Sequence, residues 1–350
     1  MDRIDRCAAT LPKVLLHEHL DGGIRISTLW SLLERQGLRP PADSPAALAG
    51  WFDNNARAGS LEKYLEGFDL TIAAMADLSA LERVAFEAAE DARSQGALLA
   101  EFRLAPLLFE PFGLNADAVL EATLAGLARS SLPTGLIVSA IRNHSPEQSL
   151  RAAQLALRWA GDGVVGFDLA GIECGYPATL HAPALQLVRQ EGLSITLHAG
   201  EDDTAERVVE AGRLGATRIG HGVALASALG DPRQQAMIDE VLELGLHLEV
   251  CPTSNIHTGI IDTLEQHPIA ALRRAGISLS WHTDNTLMSR VSLTSETAAL
   301  LRSTTLTKSD LLEMACDAAQ SSFLSPSVRK NALRQIAEAA IEQRNLATDA

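Results

Sequence analysis

Histidines and carboxylates gather at four places in this chain, each directly after a short apolar run. Leu16 leads into His17-Glu18-His19-Leu20-Asp21-Gly22, and Leu197 into His198-Ala199-Gly200-Glu201. Ile219 leads into Gly220-His221-Gly222, and Trp281 into His282-Thr283-Asp284-Asn285. In an extended chain residues i and i+2 share a face, so His17 and His19 can converge on one ion. Three imidazoles and a carboxylate form a ligand set suited to Zn²⁺, with a further position for water. A single strand-end histidine is ordinarily structural, and an isolated His-x-His pair is weak. Four polar clusters at four compatible strand ends are more specific, and they point to one metal site.

Elements that could bring these clusters together follow from periodicity. Candidate strands are Lys13–Leu16, Leu98–Leu104, Gly135–Ile141, Val164–Leu169, Ser194–Leu197, Thr217–Ile219, His247–Val250 and Ile277–Ser280. The segments between them, such as Ser79–Gly96, Ala116–Ser130, Glu147–Ala160 and Gln234–Leu244, carry apolar residues at i, i+3, i+4 spacing. Eight strands alternating with helices predict a parallel sheet, and eight is the number that closes a TIM-type (β/α)8 barrel. In such a barrel the four clusters all lie at the C-terminal ends of strands, where active sites are built. An open doubly wound sheet is the competing architecture, but no GxGxxG follows the first strand. The stretch Ile26–Leu78, with a Pro-Pro pair, Trp51, Gly59 and a helical pattern from Leu61, predicts extra helices over that end of the barrel, a lid. After Lys308 an Ala-rich helical tail is expected to pack outside the barrel. No repeat or linker interrupts residues 1–350, so one domain is expected.

Composition narrows the partners. With 29 Lys and Arg against 44 Asp and Glu, the net charge is −15, which repels nucleic acid and anionic membranes. Eight Phe, four Trp and two Tyr leave little for base-stacking platforms. No apolar run reaches the ~18 residues needed to span a bilayer. The charged N-terminus is not expected to act as a signal peptide. Cys7, Cys174, Cys251 and Cys316 lie far apart, which predicts a reduced, cytoplasmic protein without disulfides. Among the other histidines, His144, His181 and His267 fall in loops or helix starts and are expected in solvent. His247 is expected to pack, and His257 to line the site from the loop after strand seven. His282 shares a face with Asp284, so spacing alone leaves open which of them ligates.

The segments LPKVLLHEHLDGG (11–23), VVGFDLAG (164–171), LHAGED (197–202), RIGHG (218–222), LEVCPTSN (248–255) and SWHTDN (280–285) resemble, in order, the adenosine deaminase family of metal-dependent amidohydrolase barrels. The resemblance runs from about Leu11 to the SSFL at 321–324. It implies one Zn²⁺ per chain on His17, His19, His198 and Asp284, with His19 and Asp284 also facing the substrate and Asp284 taking part in catalysis. It implies that Glu201 gives a proton to the purine N1, and that His221 orients the attacking water or takes its proton. Asp21 would accept a hydrogen bond from the ribose 5′-hydroxyl, Gly171 would offer its N–H to N3, and Phe68 would cover the base. Asp21 also has a local alternative, capping the turn at Gly22-Gly23.

The chemistry of the residues agrees with that reading. Zn²⁺ lowers the pKa of bound water to about 7, and an aromatic ring that resists attack needs a carboxylic acid placed as Glu201 is. Two positions depart from the family. Asn285 stands where a second aspartate is usual; a carboxamide always has N–H to donate to N7. His282 stands where Asn is more common.

The reaction this implies is hydrolytic deamination of adenosine and 2′-deoxyadenosine, small purine nucleosides, to inosine, 2′-deoxyinosine and ammonia. The alternative is an adenine deaminase, or a deaminase of N6-substituted adenines or 5′-substituted adenosines. Neither the HxE nor the PCxxC half of the other zinc-deaminase signature falls at a usable position. Strand four ends without the lysine a binuclear site would use, and no Gly-rich loop or basic cleft serves phosphate. A non-catalytic binding protein would be expected to have lost Glu201 or a ligand.

Overall fold

In the computed structural model, which describes residues 2–57 and 61–348, eight strands follow one another in chain order around a single sheet. They are β1 (Lys13–Leu15), β2 (Ala97–Leu104), β3 (Thr134–Ile141), β4 (Val164–Ala170), β5 (Ser194–Ala199), β6 (Arg218–His221), β7 (His247–Val250) and β8 (Ser278–Trp281). Every neighbouring pair from β1 to β8 is parallel. The strands are buried on both faces, as parallel strands covered by helices must be. At the C-terminal rim Glu18 bridges to Asp284, with His19 N–H donating to the Asp284 carbonyl at 2.8 Å and Asp284 N–H to the His17 carbonyl at 3.1 Å. The expected TIM-type (β/α)8 barrel is thereby formed, and the predicted site residues close its seam.

Four strands, β4, β5, β6 and β8, end beyond their apolar patterns, and β5 and β6 carry site histidines. The β5–β6 ladder pairs His198 with Gly220 and Ala199 with His221, so both histidines are held by strand hydrogen bonding rather than by the loops beyond. Between Ile26 and Leu78 the chain forms the helices Ile26–Gln36, Pro45–Ala56 and Leu61–Met75. Gly59, read as part of that excursion, lies outside the described residues. In the third helix Tyr64, Phe68 and Ile72 recur every four residues, which puts them on one face, and all three line the cavity at the barrel mouth. The tail forms the helices Lys308–Ser321 and Pro326–Thr348, the first packed against β8 and β1 across the seam.

The lower barrel carries charge that an apolar reading of the strands did not anticipate. Glu101, Arg103, Asp168, Arg218 and Glu249 are all fully buried or nearly so. Arg218 Nε donates to Glu249 Oε1 at 2.6 Å and its Nη1 to Glu101 Oε2 at 2.6 Å. Arg103 donates to Asp168 Oδ2 at 3.2 Å and pairs with Glu249. Each buried charge meets an opposite one, the condition for keeping ions inside a barrel.

Candidate active site

The four predicted ligands meet at the C-terminal rim. His17 and His19 follow β1, His198 ends β5, and Asp284 follows β8 with φ of 59°, a left-handed conformation that non-glycine residues adopt under local strain. His17 Nδ1 lies 2.9 Å from Glu249 Oε2 and His198 Nδ1 lies 3.1 Å from Asp168 Oδ1. Those carboxylates accept hydrogen bonds from Nδ1–H, so the two Nε2 atoms carry lone pairs, and both point inward. His17 Nε2 is buried with no hydrogen-bond partner, 3.3 Å from Asp284 Oδ1. His19 Nε2 lies 3.2 Å from His198 Nε2 and 3.6 Å from Asp284 Oδ1. Ligands on a tetrahedral Zn²⁺ with bonds of about 2.0–2.1 Å stand about 3.3 Å apart. The lone pairs converge at that spacing, so the residues fit a zinc ion.

Electrostatics support the same cluster. Burial pushes Asp284 up, but His17, His221 and His19 outweigh it and hold the carboxyl well below the usual range. Burial lowers His19 and His198, which leaves both imidazoles neutral, as ligands must be. Ser254 Oγ donates to Asp284 Oδ2 at 2.6 Å and turns Oδ1 toward the imidazoles.

Glu201 sits above the cluster, its Oε2 3.5 Å from His221 Nε2. Burial, and then the charge of Asp284, raise its carboxyl well above the ordinary value, the direction a proton donor needs. Its backbone is anchored by a residue the sequence reading did not single out. Glu173 accepts from Gly200 N–H at 2.8 Å, Glu201 N–H at 2.9 Å and Asp202 N–H at 3.3 Å. Like Glu201, His221 is buried; it has φ of 66°, and Asn255 Nδ2 stands 3.1 Å from its Nδ1.

His19, Asp21, Phe68, Gly171, His198, Glu201, His221, Asp284 and Asn285 all line one cavity of about 220 Å³. Asp21 is buried and its Oδ1 has no hydrogen-bond partner; burial lifts its carboxyl to about 7, with the backbone N–H groups of Asp21 and Gly22 pulling the other way. Gly171 has φ of +93°, and a Cβ there would meet Asn143 Oδ1 at 2.8 Å, so the bare backbone faces the cavity. Asn285 is buried beside Tyr64, whose hydroxyl bonds Ser289 Oγ at 2.7 Å. Tyr64 and Asn143 line the same cavity and were absent from the predicted set.

Several histidine expectations change. His282 stands apart from the ligands: its Nδ1 accepts Leu16 N–H at 3.2 Å and its Nε2 meets Ser280 Oγ at 2.7 Å, so it closes the β8–β1 seam. His247 is buried as expected, with both ring nitrogens on Ser278 and Ser280. His144 is exposed, but His181 and His267 are not. His181 bonds Ser149 Oγ at 2.8 Å and the Arg142 carbonyl at 2.9 Å, and His267 bonds Asn255; those tertiary partners draw both rings inside. His257 lines a separate cavity with Asp53 and Arg57 and is absent from the lining of the cavity that holds Glu201.

A family model described as adenosine deaminase matches residues 12–339. The adenosine deaminase of Mycobacteroides abscessus is 38% identical over 329 residues, which span 89% of this chain and 90% of that protein. The crystal structure of an Arabidopsis N6-mAMP deaminase superposes with a TM-score of 0.83 at 27% identity, covering 95% of this chain and 99% of that one. A zinc-bound amidohydrolase from Burkholderia ambifaria shares the fold with a TM-score of 0.86 at 21% identity, covering 100% of this chain and 96% of the other. The chain therefore belongs to the adenosine deaminase family and is a hydrolase of C–N bonds.

Proposed function

We propose that this enzyme deaminates adenosine and 2′-deoxyadenosine, with one zinc ion per chain held by His17, His19, His198 and Asp284. The observation that carries the reading is that three of these ligands, His19, His198 and Asp284, open onto the same cavity as Glu201, whose carboxyl burial raises well above its ordinary value. Zinc, when bound, supplies the Lewis acidity that makes water a nucleophile near neutral pH. Glu201 delivers its proton to N1, which draws electron density away from C6 and prepares the ring for attack. His221 holds the attacking water against the face of the ring, and Asp284 and His19 border the same point. Gly171 N–H donates to N3 and the Asn285 amide to N7, so the base is gripped on both edges. Phe68, half-buried on the helix Leu61–Met75, covers the ring and excludes water. The water oxygen bonds to C6 and the C6–N bond breaks; of the water's two protons one leaves with the amine as ammonia and the other restores Glu201, so inosine remains.

The sugar side of the cavity supports a nucleoside over a nucleotide or a free base. Among the described residues the lining carries no Lys or Arg, so a 5′-phosphate finds no cation to offset its charge. Asp21 is a buried acceptor suited to a hydroxyl, and a free base leaves it unpaired. A cytoplasmic setting belongs to the same reading; all four cysteines are free thiols. The test is Glu201→Gln in zinc-loaded protein. Gln has no acidic proton, so kcat for adenosine should fall by ~10²–10⁴ with zinc content unchanged. Turnover near that of the unmodified enzyme would remove Glu201 from the mechanism.

A further inference from the structure

The buried His267 takes part in hydrogen bonds whose direction is forced. Ile269 N–H donates to His267 Nδ1 at 3.1 Å, so that nitrogen carries the lone pair and the ring proton sits on Nε2. Nε2–H then donates to Asn255 Oδ1 at 3.3 Å. With its oxygen committed, the Asn255 amide can only donate from Nδ2 to His221 Nδ1, 3.1 Å away. The opposite amide orientation would require His267 to accept at both nitrogens, which a neutral imidazole cannot do. His221 therefore carries its proton on Nε2, the nitrogen that faces Glu201 Oε2 at 3.5 Å. Asn255 is 0% exposed, His221 1% and His267 5%, so bulk water does not compete along the chain. The Asn255 carbonyl accepts from Ile260 and Ile261 N–H at 3.1 and 3.0 Å, which braces the turn that carries the amide.

We propose that His267 and Asn255 are positioning residues that lock His221 in the Nε2–H tautomer, so that His221 presents an N–H rather than a lone pair to the reacting oxygen. The inference rests on the deaminase reading and deepens it. Of the two roles open to His221, orienting the attacking water or taking its proton, the relay selects orientation. No proton travels along the relay, because it ends on the backbone amide of Ile269.

The experiment is ring ¹⁵N NMR of histidine-labelled protein, metal-free and zinc-loaded, beside steady-state kinetics with adenosine. Asn255→Asp replaces the amide donor with an acceptor, so His221 should move its proton to Nδ1. In that variant kcat should fall by ~10²–10⁴, with KM within about threefold and zinc content unchanged. His267→Gln restores a side-chain N–H toward Asn255 Oδ1 and should keep the Nε2–H tautomer and most activity. His267→Leu, which removes the donor, should show both tautomers of His221 and an intermediate kcat. Melting curves establish that each variant is folded, and the His267 pair tests the relay should Asn255→Asp fail to fold. An Nδ1–H tautomer of His221 in the unmodified protein, or Nε2–H retained in Asn255→Asp, would overturn the proposal. So would a tautomer that switches in Asn255→Asp while kcat stays put. If the unmodified enzyme leaves adenosine untouched, the substrate reading fails, while the ring spectra still decide the tautomer.

Discussion

Glu173→Gln tests how the proton donor is held, because Glu173 accepts from the backbone beneath Glu201; it also pairs with Arg142 at 4.0 Å, and it touches none of the zinc ligands' side chains. Its Oε1 takes one N–H, from Gly200, and its Oε2 takes two, from Glu201 and Asp202. Gln keeps the shape but turns one acceptor into a donor, so in either orientation an NH₂ group meets a backbone N–H. The cheaper orientation gives up Gly200, leaving one buried N–H unsatisfied at about 1–3 kcal/mol and weakening two charge-assisted bonds by about 1 kcal/mol each. The resulting loss of about 3–5 kcal/mol is smaller than most of the 5–15 kcal/mol typical of folded proteins, so the chain should stay folded. The turn carrying Glu201 loosens instead, and a displacement of about 1 Å at a catalytic group costs on the order of 10²-fold in rate. Ammonia release from adenosine should show that loss in kcat, with KM within about threefold. Zinc should be retained, since the His198 ring is fixed separately by Asp168. A kcat within about threefold of the unmodified enzyme, in a variant whose Tm has fallen, would refute the reasoning; Glu173 would then stabilise the loop without placing the acid.

Two further outcomes test the metal centre. His198→Ala should lose most of its zinc by elemental analysis, whereas His282→Ala should keep it and show only a lower Tm, from a Leu16 N–H left unsatisfied at about 1–3 kcal/mol; the reverse pattern would reassign the ligand. In Gly220→Ala the new Cβ would lie 2.9 Å from His17 Cε1 and 3.3 Å from His198 Cα. Wedged between two ligands on β6, it should weaken zinc binding by about 10–100-fold, read by competition with a chelator, while the fold persists.

The barrel was legible because buried parallel strands leave compact apolar runs at regular intervals, and the candidate ligands because ionisable residues at the ends of such runs are conspicuous. Strand ends were less so: His198 and His221 extend β5 and β6 because ladder hydrogen bonds, not hydropathy, decide where pairing stops. Glu249 and Asp168, which orient His17 and His198, come from β7 and β4, and nothing local in sequence ties them to a histidine on another strand. Charges at i and i+2 within a strand with no exposed face, as in Glu101-Phe102-Arg103, were the available signal for the buried network. His181 and His267 looked like loop residues because their burial depends on partners distant in the chain or on the far side of a turn. Tyr64 reads as an ordinary apolar-face residue of a helix until the cavity it lines is known.

The central claim, a one-zinc deaminase built for nucleosides, is tested most directly by measuring ammonia release from adenosine, 5′-deoxyadenosine, adenine and AMP side by side on zinc-loaded enzyme of known metal content. One zinc ion per chain is expected, with kcat/KM highest for adenosine. An acceptor built for a hydroxyl discriminates by ~10⁴–10⁵ against analogues that leave it unpaired, so 5′-deoxyadenosine and adenine should fall far below adenosine. AMP should be poor because no Lys or Arg lines the cavity, among the described residues, to receive its phosphate. Adenine or AMP turned over with a kcat/KM equal to or above that of adenosine would contradict the account.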